Sequence, residues 1–321
     1  MPFLIGTDEA GYAPNLGPLV ISATVWHYDG NPLKDDLYKC LRSVITKQAT
    51  LKARARRLPI ADSKLLYKPP CGLGTLERSV LALLSLVDCC PTQWQEIWRM
   101  LDADWELHLE QLPWHVNYDL ELPVEADREE LVKLHAKLRE CFERARVRLV
   151  AVRSTAVFPE RFNNSTTEYG SKGETLSKLT LRLIGEVLPL CTGEPVFVVC
   201  DKHGGRNCYG RLLQQQFPDP LVEVRFESGL QSVYGWGDGD GRIEVRFRMG
   251  GESFLPAALA SMVSKYLREL AMRAFNDFWC CRVPDLRPTA GYPTDAHRFR
   301  RAISATQAEL GIDDAILWRC R

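Results

Sequence analysis

Three short stretches of this 321-residue chain place carboxylates where chemistry can use them. In GTDEAGYAPNLGPLVI, Asp8 and Glu9 close an apolar run and are followed by Ala10 and Gly11. In PVFVVCDKHGG, Asp201 closes a second apolar run just ahead of Gly204 and Gly205. In GGESFLPAAL, Glu252 follows two glycines and precedes the longest stretch of helical apolar spacing. Each alone has a plain structural role, as a solvated strand end or as a negative charge near a helix N-terminus. Together they suggest one cleft, because ligand sites in α/β sheets gather outside the carboxyl ends of the strands. Crowded carboxylates raise one another's pKa until a cation neutralises them, and hard oxygen donors suit Mg²⁺ or Mn²⁺. Two such ions can bind the attacking water and the leaving oxygen of a phosphodiester, so acids without a paired His or Ser nucleophile point to nuclease chemistry. The chain has no Walker loop, no Gly-x-Ser-x-Gly elbow and no His-Glu-x-x-His.

The elements that must position these acids follow from the spacing of apolar residues. Phe3 to Thr7 and Leu19 to Trp26 predict two strands joined by a wide glycine- and proline-rich loop. Adjacent strand residues point to opposite faces, so Asp8 and Glu9 can serve one site only where their strand ends or bulges. Asp36 to Thr46 and Leu76 to Leu86 predict helices, with a Pro-Pro-Cys-Gly-Leu-Gly turn before the second. Val147 to Val157 predicts a strand, Glu174 to Leu188 a helix, and Pro195 to Cys200 a buried strand. A helix-like piece over Arg206 to Gln216 precedes an expected hairpin of Val222 to Phe226 with Ile243 to Phe247 around Gly-Asp-Gly-Asp-Gly. Pro256 to Trp279 is the strongest helix, with Leu259, Met262, Val263, Tyr266, Leu267, Leu270 and Phe275 on its core side. The fold class expected is α/β, with a central mixed sheet flanked by helices in a single domain over 1–321. Residues 90–145, which hold four of the eight tryptophans, are expected to be a helical insertion; 218–248 a β-hairpin insertion; and 276–321 a C-terminal helical part.

Composition narrows the class further. With 45% hydrophobic residues the chain can bury a large core, and no window approaches the roughly 20 apolar residues of a membrane span. No export signal opens the sequence, and eleven scattered cysteines without Cys-x-x-Cys read as reduced thiols of a cytoplasmic protein, mostly core filler. Forty-one basic residues balance forty-one acidic ones, so any nucleic-acid face must be local. Lys52, Arg54, Arg56 and Arg57 are one candidate, and Arg298, Arg300 and Arg301 another. A monomer is expected.

The motif GTDEAGYAPNLGPLVI resembles the DEAGRGPLAGPVV signature of ribonuclease HII. Four further stretches resemble that family in the family's order. ADSKLLY is similar to DSKKLS, VVCDKHGG to a strand ending in VDG, GGESFLPAALASMVSK to GDS-P-ISAASILAK, and AGYPTDAH to KGYPTKEH. The resemblance to the type 2 ribonucleases H implies a ribonuclease H-like fold and metal-dependent hydrolysis of the RNA strand of RNA/DNA hybrids. It implies that Asp8, Glu9, Asp201 and Glu252 are catalytic and hold two Mg²⁺ or Mn²⁺ ions. Gly11, Tyr12 and Ala13 would contact substrate, Lys64 would approach the scissile region or an adjacent phosphate, and Tyr292 would pack on a sugar beside the cut. Lys265 falls off the apolar stripe and is left out. His203 could aid proton transfer, although loop histidines are usually just solvated.

The departures from the family matter as well. The family's Gly-Arg-Gly reads Gly11-Tyr12-Ala13, and its fourth acid, usually Asp, is Glu252. Both features resemble ribonuclease HIII, whose extra N-terminal domain has no counterpart here. About fifty residues separate Asp201 from Glu252, far more than the family's short link. Two alternatives stay open: a catalytically weak or inactive nucleic-acid-binding protein of the same fold, and a junction or DNA nuclease.

Overall fold

The computed structural model describes residues 1–32, 34–48, 57–67, 72–109 and 111–320. Its frame is a seven-stranded mixed sheet in the order β5-β2-β1-β6-β9-β8-β7, flanked by helices, as the sequence leads one to expect. The strands are β1 (Phe3–Ala10), β2 (Leu19–Tyr28), β5 (Val147–Val157), β6 (Val196–Asp201), β7 (Glu223–Glu227), β8 (Gln231–Trp236) and β9 (Ile243–Arg248). A separate parallel ladder joins β3 (Ile45–Thr46) to β4 (Leu58–Pro59). β1, β6 and β9 run parallel, and the ladders on either side of them are antiparallel. Parallel strands at the centre are covered on both faces, which is why β1 and β6 read as almost unbroken apolar runs.

The helices are α1 (Leu37–Cys40), α2 (Ser63–Leu66), α3 (Gly74–Leu84), α4 (Trp94–Leu101), α5 (Trp105–Leu109), α6 (Arg128–Ala145), α7 (Pro159–Tyr169), α8 (Lys172–Val187), α9 (Gly210–Gln216), α10 (Leu255–Cys280), α11 (Pro293–Glu309) and α12 (Asp314–Leu317). α10, with the seven apolar residues named above all buried, covers one face of the sheet, and α8 covers the other. Gly6 is what lets α10 approach β1. A Cβ there would stand 2.1 Å from the Ala257 nitrogen, so only glycine permits the contact that fixes where α10 begins.

Several local expectations are corrected. Asp36 to Thr46 is helical only over Leu37–Cys40; the β-branched Val44, Ile45 and Thr46 leave the helix, and Ile45–Thr46 pair with β4. The helix expected from Arg206 starts at Gly210, because the preceding loop is held open by side chains: Tyr209 N–H donates to Tyr234 Oη at 2.7 Å and Ser232 Oγ to the Asn207 carbonyl at 2.5 Å. Val222–Phe226 and Ile243–Phe247 do not pair with each other. β8 lies between β7 and β9, so the expected hairpin insertion is a three-stranded meander that extends the main sheet. The Pro-Pro-Cys of the turn before α3, and the basic Lys52, Arg54 and Arg56, lie outside the described residues.

Residues 90–145 contain α4, α5 and α6 with an irregular stretch between. Trp94, Trp98, Trp105 and Trp114 are all buried; Trp94 and Trp98 pack edge to face, Trp98 and Trp105 stack, and the Trp94 indole donates to the Leu270 carbonyl on α10 at 3.1 Å. No helix among the described residues is long and apolar enough to cross a membrane. The ten described cysteines are free: four are buried and four exposed, so core filling accounts for fewer of them than the sequence suggests.

Candidate active site

The site lies where β1 and β6 part. β1 pairs with β6 only as far as Thr7 and Cys200, yet it pairs with β2 through to Ala10. Asp8 and Glu9 therefore lie within the last three residues of β1, past the point where its pairing with β6 stops, and no bulge interrupts the ladder to β2 there. What opens is one edge of β1, and beside that gap stands Asp201, the last residue of β6.

Three of the four acids are brought within reach of one another's charge. Burial, and next the Glu9 charge, push the Asp8 carboxyl well above its ordinary range, and Asp201 adds to this. Burial and then the Asp201 charge push Glu9 up to about 7, with the Lys64 ammonium opposing. Neighbouring carboxyls that raise one another's pKa in this way form an all-oxygen donor set, and such a set suits a hard divalent ion. Among the described residues, however, no three His, Cys, Asp or Glu side chains are arranged around a common ion position. Glu252 is placed through its backbone. It lies on a single 3₁₀ turn, Gly251–Ser253, whose Gly251 N–H donates to Asp201 Oδ1 at 3.2 Å. A Cβ on Gly251 would come within 3.0 Å of the Asp201 nitrogen, so the turn abuts the end of β6 because residue 251 is glycine.

Polar residues of α10 that composition alone did not single out support the acids from below. Ser261 hydrogen-bonds the Asp8 carboxyl. Its hydroxyl also lies 3.2 Å from that of Ser63, and this joins the Asp62-Ser63-Lys64 turn to Asp8. Ser264 stands 3.1 Å from the Asp8 carbonyl oxygen and 2.8 Å from the Ser22 hydroxyl. The available signal was a polar line at helical spacing, Ser261, Ser264 and Arg268, inside an otherwise apolar helix.

The loop from Gly11 to Gly17 is clamped by two buried arginines. Arg268 donates to the carbonyls of Ala290 at 2.9 Å and Leu16 at 3.4 Å, and Arg319 to those of Gly11 at 2.6 Å and of Pro14. Gly11, at φ +90°, has no room for a Cβ, which would meet Arg268 Nε at 2.6 Å. Gly291 accepts from Asn15 N–H at 2.8 Å, so the Tyr292 segment docks on this same loop. Tyr292 is half exposed at the start of α11, Ala13 is exposed, and Tyr12 is half-buried with its hydroxyl close to Gly204 and Gly173. Lys64 is exposed at the start of α2, and its charge reaches Glu9.

Other candidates are occupied elsewhere. Lys265 is paired with Glu269 at 2.5 Å. His203 is buried against Ser177 Oγ at 3.0 Å, and burial followed by the nearby Arg206 lowers its pKa to about 3; it is neither solvated nor poised to take a proton. Arg298 pairs with Asp295 and Arg300 with Asp314, while Arg57 donates to the Arg42 carbonyl at 3.2 Å.

No protein-family profile matches the chain, and no curated protein does. Among the solved structures that match is ribonuclease HII of Archaeoglobus fulgidus in a complex with PCNA, at 13% identity and TM-score 0.42, covering 99% of this chain and 94% of that one. The ribonuclease H2 of Pyrococcus horikoshii matches at 13% identity and TM-score 0.42, covering 98% and 92%. Bst-RNase HIII in complex with Mn²⁺ matches at 15% identity and TM-score 0.42, covering 99% of this chain and 66% of its own.

Proposed function

We propose that this chain is a type 2 ribonuclease H, a metal-dependent endonuclease that hydrolyses the RNA strand of RNA/DNA hybrids. The observation that carries the reading is the crowding of Asp8, Glu9 and Asp201 at the parting of β1 and β6, where two carboxyls are held far from their ordinary ionisation. With Glu252 they would hold two Mg²⁺ or Mn²⁺ ions, which when bound supply charge neutralisation and water activation at neutral pH. The chain's own residues do the positioning. Ser261 and Ser264 fix Asp8, Lys64 brings positive charge toward the phosphate, Tyr292 offers its ring to a sugar, and the clamped 11–17 loop presents backbone to the minor groove, where the 2′-hydroxyl distinguishes RNA from DNA. Binding without turnover is the alternative, favoured by the lack of a three-residue ligand set among the described residues. Bare carboxylates repel phosphate, which weighs against it.

The test is a panel of labelled duplexes with Mg²⁺ or Mn²⁺. Cutting confined to RNA paired with DNA supports the reading. DNA/DNA cutting replaces it with a DNA nuclease, and binding of hybrid without any cutting replaces it with the binding protein.

The 11–13 loop sets a finer expectation. Tyr12 offers one hydroxyl where the resembled family has a five-donor guanidinium, and Ala13 adds a Cβ. Hybrids with several consecutive ribonucleotides should therefore be cut well and a single embedded ribonucleotide poorly. Comparing initial rates decides it: equal or faster cutting of the single ribonucleotide refutes the expectation. The double variant Tyr12→Arg, Ala13→Gly should gain single-ribonucleotide activity, and no gain would clear the loop of responsibility.

A further inference from the structure

Along β9 and the residue before it, Arg242, Glu244, Arg246 and Arg248 alternate with Ile243, Val245 and Phe247, which pack into the core under α8. A strand's two-residue period therefore puts the four polar side chains on one face. Glu244, 4% exposed, accepts from Arg225 Nη1 at 2.8 Å, Arg242 Nη2 at 2.8 Å and Arg246 Nε at 2.7 Å. Arg225 reaches it from β7 by crossing β8 at Gly235, where a Cβ would lie 2.6 Å from the guanidinium carbon. One carboxylate thus serves three guanidiniums, and the exposed Glu223, 3.9 Å from Arg225, offsets little at that distance. Arg242 Nε is buried without a partner, and the ion pairs of this face among the described residues join Arg225, Arg242 and Arg246 to Glu244 and leave Arg248 out. Arg248 is also the cross-strand neighbour of Asp201, and Arg246 and Arg248 line a cleft of about 250 Å³ with Lys47 and Ser253, the residue after Glu252. The cleft's two acids are engaged locally: Asp35 accepts from Tyr28 Oη and Asn31 N–H, and Asp36 from Tyr38 N–H.

We propose that this arginine face of the β7–β8–β9 meander is a second nucleic-acid contact, binding the duplex backbone beside the acid cluster. It rests on the nuclease reading and adds to it a place for the flanking duplex. From Arg248 to Arg242 the row runs about 20 Å at roughly 3.4 Å per residue, rather more than half of a duplex turn of about 34 Å. The contact is to phosphates, so it is blind to sequence and to the identity of the strands. It also supplies the local basic surface that a chain of zero net charge needs if it is to hold a polyanion.

The test is the salt dependence of binding, read by anisotropy on a labelled hybrid of about 20 base pairs, two turns, without divalent cation. Arg248→Ser removes no ion pair among the described residues and serves as the variant safe for folding; Arg242→Ser, Arg248→Ser is the stronger one. The slope of log K against log salt should become shallower by about 0.9 for each arginine lost, equally on hybrid and on DNA duplex. Glu244→Gln, which leaves three guanidiniums uncompensated, should bind more tightly than the parent. A double variant with the parent's affinity and slope overturns the proposal while leaving the nuclease reading intact, provided the parent still cuts hybrid. A parent that neither binds hybrid here nor cuts it in Mg²⁺ or Mn²⁺ overturns both.

Discussion

Replacing Asp8 or Asp201 by asparagine is expected to lower hybrid cleavage about a thousandfold or more while leaving the fold in place. Asparagine keeps the volume, and at position 8 it keeps a partner for Ser261, but it removes the charge that would hold the cation. A bound ion is worth several kcal/mol of transition-state stabilisation, and roughly 4 kcal/mol corresponds to a factor of about 10³. Removing one of several crowded carboxyls should not destabilise the ion-free protein, because each raises the cost of charging its neighbour. The pair of readouts, kcat and thermal midpoint, therefore separates this role from a structural one. Cleavage at the parent rate by either variant would remove that acid from the site. A large fall in thermal midpoint would mean that it is structural.

The largest stability effect is expected at Glu77 on α3. Its buried carboxyl accepts from the N–H groups of Val124, Glu125 and Ala126 at 2.7, 2.7 and 2.8 Å and from Tyr266 Oη at 2.7 Å. It thereby ties the irregular stretch before α6 to α10, the helix that carries Ser261 and Ser264 beneath Asp8. Glu77→Ala abandons four donors at a cost on the order of 1 kcal/mol or more each, so a loss of roughly 4 kcal/mol and a fall in thermal midpoint of about 10 °C are expected. Because Glu77 touches none of the acids, the folded fraction at low temperature should still cut hybrid. A shift below about 2 °C would show that the donors find other partners cheaply.

Much of the candidate site is legible in the sequence because each acid ends or follows a local pattern. An apolar run followed by an acid and then glycine marks β1 and β6, and two glycines with an acid ahead of a long apolar stripe mark the start of α10. What the pattern could not give is the pairing. Asp8 and Glu9 look like a strand end, and only the ladder tells that β1 continues along β2 while β6 falls away. β8 is hidden in the sequence because Gln231, Ser232 and Gly235 break its apolar run, and the reason for Gly235 is Arg225 lying across it, a contact between strands that no local window contains. The clamps on the first loop were illegible for the same reason: Arg319 acts on Gly11 and Pro14 from the far end of the chain. His203 illustrates the opposite error, since its place in a glycine-rich loop suggests solvent, whereas Ser177 and Tyr209 enclose it.

The account's central claim is that a cation held by the acids at the parting of β1 and β6 cuts RNA paired with DNA. Its most direct measurement follows a hybrid labelled on each strand, incubated with the purified chain in Mg²⁺, in Mn²⁺ and in chelator. The prediction is internal cutting of the RNA strand with at least one of the ions, none with chelator, and an intact DNA strand throughout. An RNA strand left whole in both ions, or cut equally in chelator, would contradict it.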